Sequence, residues 1–309
     1  MQDYDIIVIG GGIAGLSAAL TAARTGRRTA ILTGGVPGGE LLNIEKVTGV
    51  PGHEDGIAGF DLCPITQELA DAAGAEFVME EASAIMPEGA KWRVTGDGSA
   101  FVAPAIILAM GAHPTKLGVP GEEQFAGKGV SHCATCDGPL LRGKIAVVAG
   151  GGDSGMQEAL TLAAHLEKVI IVERTASLTG QAVYVEEVEA NPKIEVLTGR
   201  EVAAIEGGDK VTAVRVRDIA SGEESAIDAQ GLFAFIGLEP NFAPAGELVE
   251  RDAEGRVKVD ASLRTSARGL FAAGNLRSGN GWRAASAIGD GANAAYAAHR
   301  YCANGEWPV

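Results

Sequence analysis

An α/β fold with two nucleotide-binding units is predicted by three features of the sequence. A glycine-rich turn, Gly10–Gly15, joins an apolar strand to a helix of small residues. The same arrangement recurs at Gly150–Gly155. The 309 residues, 46% of them hydrophobic and 44 of them glycine, exceed one domain of ~100–200 residues and suit many tight strand-to-helix turns.

The run Asp5-Ile-Ile-Val-Ile-Gly10 has strand length and ends in glycine. Gly10-Gly-Gly12-Ile-Ala14-Gly15 then opens the alanine-rich stretch Leu16–Arg24, a strong helix former. Strand, G-x-G-x-x-G and helix in this order make a phosphate cradle. Gly10 makes the tight turn, Gly12 lets backbone approach a pyrophosphate, and Gly15 lets the helix pack close. The helix N-terminus adds free N–H groups and a partial positive charge. Residues 29–33 form the second strand. The place for a ribose-holding carboxylate, roughly twenty residues past the last glycine, is taken by Thr33 and Gly34.

Residues 35–52 are punctuated by glycine and proline and read as a functional loop. Asp61 to Ala73 reads as helix, 82–103 as a β meander, and Ala105–Gly111 as a buried strand. Residues 115–130 read as a linker. Lys144–Gly150 is the next apolar strand, followed by the turn Gly150-Gly-Gly152-Asp153-Ser154-Gly155, a helix over 156–166 and the strand Lys168–Glu173. Here the acid is present: Glu173 follows Gly155 by about eighteen residues, and a carboxylate there would hold both ribose hydroxyls of NAD and repel a 2′-phosphate. With Arg174 alone behind it, a nicotinamide site at this turn favours NADH over NADPH. Residues 194–237 alternate as strands with Ser221-Gly222 as a hairpin turn. Leu270–Asn275 is a short buried strand, and the helix 284–301 is expected to be entered through Gly289-Asp290-Gly291.

A formal net charge of −15 argues against nucleic acid or an anionic membrane as partner. No apolar run approaches the ~20 residues of a membrane span, and the N-terminal segment lacks a basic-then-apolar signal. A cytoplasmic setting is therefore expected. Four cysteines do not make a secreted disulfide framework. Cys133 and Cys136 are three apart, and Asp137 follows. Zinc would want a second such pair, and Cys63 and Cys302 stand singly, so the pair reads as a redox dithiol rather than a metal site. Such a pair opens and closes by exchange through a mixed disulfide, is more reactive at a helix N-terminus, and needs a proton donor and acceptor. Asp137 fits that last need better than His132, which reads as a bystander or a partner-surface group.

These residues resemble the low-molecular-weight thioredoxin reductase family across essentially the whole chain. Cys133-Ala-Thr-Cys-Asp-Gly138 is that family's active-site hexapeptide, and Gly10–Gly15, Pro37-Gly-Gly39, Pro51-Gly52, Ala109-Met-Gly-Ala112 and Gly269–Gly274 are similar to its FAD-site landmarks. The resemblance implies two Rossmann-like, three-layer ββα domains, the second inserted into the first. An FAD domain would span 1–115 and 245–309, and an NAD(P)-like domain carrying the disulfide would span 116–244. It implies FAD held by Gly10, Gly12, Ala14, Gly15, Gly39, Glu40, Gly111, Gly274, Asn275, Arg283 and Ala284. Gly150, Gly152, Asp153, Ser154, Gly155 and Glu173 would face NADH or NADPH. It further implies a homodimer, thioredoxin or a thioredoxin-like protein as partner, and a rotation of one domain against the other. In this scheme Cys136 meets the flavin, Cys133 attacks the substrate disulfide, and Asp137 is the acid/base. Gly152-Asp-Ser-Gly155, Val172-Glu173 and Asp209-Lys-Val-Thr212 are closer to the flavoprotein component of alkyl hydroperoxide reductase.

Departures from the family pattern gather around the flavin. Asn275 stands where the family has an acid, Trp282 and Arg283 where it has a basic residue and glutamine, and Glu40 where it has glutamine. The early loop reads Gly49-Val-Pro-Gly52 without the usual asparagine, and the paired basic residues that read the NADPH phosphate are absent. Trp282 fits either a place beside the flavin or a packed domain junction. The leading expectation is a thioredoxin-disulfide reductase-like flavoenzyme. The alternatives are a non-nicotinamide donor of the ferredoxin type, a dithiol oxidase using oxygen, and a catalytically silent flavoprotein.

Overall fold

The computed structural model describes residues 2–307. The chain folds as two compact units, one of the residues up to His113 together with those from Glu239 on, the other Pro114–Leu238. Six helices are formed among the described residues: α1 (Ile13–Arg24), α2 (Gly59–Ala72), α3 (Ala134–Asp137), α4 (Asp153–Ala163), α5 (Ala182–Ala190) and α6 (Ala284–Asn304).

The first unit is built on a five-stranded parallel sheet in the order Leu270–Ala272, Ala105–Leu108, Ile6–Ile9, Thr29–Leu32, Glu76–Val78. Its inner strands are unbroken apolar runs, because a parallel sheet is covered on both faces. Ile6, Ile7, Val8, Ile106, Ile107 and Leu108 have no exposed surface, and each such side chain contributes about 2 kcal/mol of burial. α1 and α6 cover one face together. A Cβ at Gly291 of α6 would stand 2.1 Å from Ala14 O of α1, so the glycine sets that spacing, and Ser17 Oγ donates to Ile288 O at 2.8 Å. Gly289-Asp290-Gly291 is therefore interior to the helix, not its entry: α6 starts at Ala284, where Ser286 Oγ accepts the Arg283 N–H. The other face carries the antiparallel strands Ala84–Glu88, Lys91–Thr95 and Ala100–Ala103, the expected meander, with Gln2–Asp3 added at its edge.

The second unit repeats the plan. Its parallel sheet runs Val130–Ser131, Gly231–Ala234, Ile145–Ala149, Lys168–Glu173, Ile194–Thr198. α3, α4 and α5 pack on one face through Ala134, Met156, Leu162 and Tyr184, and the antiparallel strands Arg200–Gly207, Val211–Asp218 and Glu224–Asp228 cover the other. One reading of the sequence is corrected here. Residues 115–130 are not a free linker: Leu117 and Val119 pack on the core that buries Phe125, and the buried Glu122 carboxylate accepts the N–H groups of Leu117 and Gly118 at 2.8 and 2.7 Å. α5 was not expected, because its run Ala-Val-Tyr-Val-Glu-Glu-Val-Glu-Ala mixes β-formers with acids and buries only Tyr184 and Val188.

Candidate active site

In the first unit three of the predicted glycine turns lie at the carboxyl ends of sheet strands. Gly10 follows Ile6–Ile9, Gly111 follows Ala105–Leu108, and Gly274-Asn275 follows Leu270–Ala272. Ligands of open α/β sheets bind at this edge, where the strand order reverses. Gly10 has φ +111°, and a Cβ there would stand 2.3 Å from Ala109 O; a Cβ at Gly15 would stand 1.9 Å from Gly10 O. Space over Gly12 is open, whereas Gly39 approaches Gly12 Cα and Gly274 approaches Ala14 Cβ. The structure thus gathers Gly12, Ala14, Gly39 and Gly274 around the start of α1. Glu40 lies next to Gly39 in a short helical turn, Gly39–Asn43, that the expected loop does contain. Asn275 Oδ1 is buried with no hydrogen-bond partner, an acceptor that a ligand hydroxyl would satisfy. An open phosphate turn and an orphaned acceptor at the same sheet edge fit an FAD.

Beneath this edge lies a network the sequence reading missed. Asp290 of α6 accepts the Gly274 N–H at 3.1 Å, Arg277 Nε at 2.8 Å and Nη2 at 2.6 Å, and Asn280 Nδ2 at 2.7 Å. Asn280 Oδ1 in turn accepts the Trp282 N–H at 2.8 Å. Trp282 has φ +54°, a conformation bulky residues adopt only when their surroundings impose it.

In the second unit Gly150, with φ +108°, leads into α4, whose N-cap is Gly152 and whose first turn carries Asp153, Ser154 and Gly155. Glu173 is buried at the end of its strand and is already engaged. Its Oε2 accepts the Gly151 N–H at 2.5 Å, and its Oε1 accepts the Thr175 N–H and hydroxyl, both at 2.8 Å. Asp153 Oδ1 accepts the Gln181 N–H at 2.6 Å, and the Thr179 N–H donates to Gly151 O at 3.0 Å, so residues 175–181 lie against the turn. Arg174 pairs with Glu201 at 3.4 Å with its own side chain 74% exposed.

Cys133 and Cys136 form a disulfide with Cα atoms 5.3 Å apart. The pair sits past the carboxyl end of Val130–Ser131, on the single helical turn α3. Cys133 is the N-cap: its Sγ accepts the Cys136 N–H at 3.1 Å, its carbonyl accepts the Asp137 N–H, and its own N–H donates to Ser131 Oγ at 3.0 Å. Cys136 is exposed and Cys133 half-buried. Glu158, buried on α4, accepts the Ala134 N–H through Oε2 at 3.2 Å. Thr135 Oγ1, between the cysteines, is buried without a partner. His132 Nδ1 lies 3.0 Å from Ala234 O; a carbonyl only accepts, so this nitrogen carries the proton. A cavity of about 130 Å³ opens beside the turn, lined by Ser131, Asp137, Leu140, Lys128, Lys210 and Phe233 among others. The two free thiols lie elsewhere: Cys63 Sγ is 3.5 Å from Gly38 O and Cys302 Sγ 3.4 Å from Asp5 O, and burial pushes both thiols up to about 11.

Comparison with known proteins gives a consistent result. The family model for pyridine nucleotide-disulphide oxidoreductases matches residues 4–297. A thioredoxin reductase of Mycolicibacterium smegmatis is 42% identical, and one of Treponema pallidum 38% identical, each match covering 97% of both chains. Among solved structures, Lactococcus lactis thioredoxin reductase superposes with a TM-score of 0.94 at 33% identity, covering 97% of this chain and 99% of that one. The thioredoxin reductase of T. acidophilum does so with a TM-score of 0.92 at 34% identity, over 97% and 99%.

Proposed function

The chain belongs to the pyridine nucleotide-disulphide oxidoreductases, and within them to the thioredoxin reductase family, and from this premise we propose that it is an FAD-dependent thioredoxin-disulfide reductase. The observation that carries the proposal is the Cys133–Cys136 disulfide on its own helical turn, with Asp137 next in the chain. FAD would be held by Gly10, Gly12, Ala14, Gly15, Gly39, Glu40, Gly111, Gly274, Asn275, Arg283 and Ala284. When bound, it supplies the passage of an electron pair between a reduced donor and a disulfide. The residues of the chain do the rest. Opening the pair takes two electrons and two protons. Cys133, once a thiolate, attacks one sulfur of the partner disulfide, and Cys136 then displaces the partner from the mixed disulfide. Asp137 delivers and removes the protons at these sulfurs. The partner is thioredoxin or a thioredoxin-like protein.

For the electron donor we read NADH over NADPH. The loop behind Glu173 offers Thr175, Ser177 and Thr179 where a 2′-phosphate would need cations, and Arg174 is paired with Glu201. A second reading, a non-nicotinamide donor of the ferredoxin type or oxygen as acceptor from a dithiol, is favoured by one observation. Both Glu173 oxygens are already engaged, one by the glycine turn at Gly151 and one by Thr175, so a ribose must share them. Anaerobic mixing of the flavin-loaded protein with each nicotinamide decides: NADH is expected to bleach the flavin faster than NADPH. If neither bleaches it, the nicotinamide reading fails and the alternative stands.

A homodimer formed through the first unit is supported by α2, which turns Phe60, Ile65 and Leu69 to solvent at 56, 48 and 54% exposure. Among the described residues no helix is long and apolar enough to cross a membrane. A cytoplasmic setting agrees with free thiols at Cys63 and Cys302 and a pair that must cycle.

A further inference from the structure

The redox turn is held from below by a carboxylate outside the family's active-site hexapeptide. α4 buries Met156, Ala159 and Leu162, and on that same face Glu158 is 7% exposed. An acid placed there needs a reason, because a buried charge without a partner is strongly unfavourable. Its Oε2 accepts the N–H of Ala134, the first residue of α3. That N–H belongs to the peptide bond leaving Cys133, so the carboxylate stands within one residue of the attacking sulfur. At a helix N-terminus such an N–H would otherwise help stabilise a thiolate. The far end of the turn is seated on the same helix, where a Cβ at Gly138 would meet Leu162 Cδ2 at 3.1 Å.

We propose that Glu158 is a positioning residue that fixes the Cys133–Cys136 turn on α4 and, through its negative charge, makes the pair a stronger reductant. The inference rests on the reading of Cys133–Cys136 as a redox pair. An anion beside the turn disfavours the thiolate and with it the dithiol, so electrons pass more readily to the partner disulfide. Other charged or titratable groups around the turn are Asp137 and His132 on its own segment, His165 past the end of α4, Tyr184 of α5 in the same buried cluster, and Lys128 and Lys210 across the cavity. None of these takes a hydrogen bond from the turn's first N–H, which separates Glu158 from them.

The test compares the full flavin-loaded protein with Glu158→Gln, which keeps an acceptor for Ala134 but removes the charge. Two quantities are read: the pH dependence of iodoacetamide alkylation of the reduced protein, and the fraction of Cys133–Cys136 disulfide in glutathione buffers of known ratio. The second exchange balances: two glutathione thiols give up two electrons and two protons to become glutathione disulfide, and the protein disulfide opens to two thiols. Glu158→Gln is expected to lower the apparent thiol pKa by about one unit and to shift the equilibrium about tenfold toward dithiol. An unchanged alkylation profile with an unchanged equilibrium, or a shift of either in the opposite direction, overturns the proposal. Glu158→Met, of similar volume, is read the same way should the amide variant fail to fold. If the wild-type pair does not interconvert with glutathione at all, the redox reading itself falls. Interconversion that is indifferent to residue 158 removes this inference alone.

Discussion

Arg277→Met removes one side of the buried ion pair at the carboxyl edge of the first unit. Asp290 and Arg277 face each other in two-point geometry, with side chains 8 and 17% exposed. Breaking such a pair from one side usually costs 3–5 kcal/mol, because the remaining charge stays buried. Asp290 keeps the Gly274 N–H and Asn280 Nδ2, which places the expected loss near the low end, about 3 kcal/mol. For a unit of about 180 residues this lowers the melting temperature by roughly 6–12 °C. Arg277→Met with Asp290→Asn removes both charges and is expected to recover about 2 kcal/mol of that loss. The assay is thermal unfolding of the four proteins of the cycle with FAD in excess, followed by flavin release so that it reports on this unit. An Arg277→Met protein within about 0.5 kcal/mol of wild type, or a double variant that loses the sum of the singles, refutes the buried-pair account.

Cys133→Ser and Cys136→Ser are each expected to abolish reduction of a protein disulfide while leaving bound flavin, measured by absorbance and by thioredoxin turnover; residual turnover above about 1% contradicts the assigned roles. Ile65→Glu with Leu69→Lys is expected to convert a dimer to monomer in size-exclusion chromatography with light scattering, and a dimer that persists moves the interface off α2. Alkylation of the reduced protein at pH 8 should label Cys133 and Cys136 and spare Cys63 and Cys302, whose thiols burial holds up at about 11, with mass spectrometry giving the sites. The same two thiols carry a sign. Their folded pKa values lie above the ordinary 9, so the stability they confer is complete below pH 9 and declines as pH rises toward 11. Denaturant midpoints that rise over that interval run against it.

The parts of the fold legible in the sequence are those written as backbone constraints. Gly10, Gly15, Gly150 and Gly155 have no room for a Cβ, so the chain had to state them as glycine in order. The buried strands were legible as apolar runs because both faces of a parallel sheet are covered. What stayed hidden depends on partners far along the chain. Asp290 looked like part of a helix entry and is instead the anchor of Gly274 and Arg277. The stretch 115–130 had the composition of a linker, yet Glu122 and Phe125 tie it into a core. Glu158 gave one signal that was available, an acid set among Met156, Ala159 and Leu162 on one helix face, and its target at Ala134 could not be read from spacing.

The two glycine turns can be superposed by a single shift of 140 positions. Gly10 and Gly150 have φ +111° and +108°, and a Cβ at Gly15 or at Gly155 would meet the carbonyl of the glycine five residues earlier at the same 1.9 Å. The same shift carries Thr33 onto Glu173, and a Cβ placed at the second glycine of either turn would stand 2.9 Å from that side chain. Such agreement shows that the two turns share one steric frame and differ in the side chain beside it. One molecule therefore contains a matched pair of test beds. A substitution placed in one turn and at the matching position 140 residues on meets the same backbone with a different side chain beside it, so a difference between the two outcomes reports on that neighbour and on what binds there, not on the shared backbone.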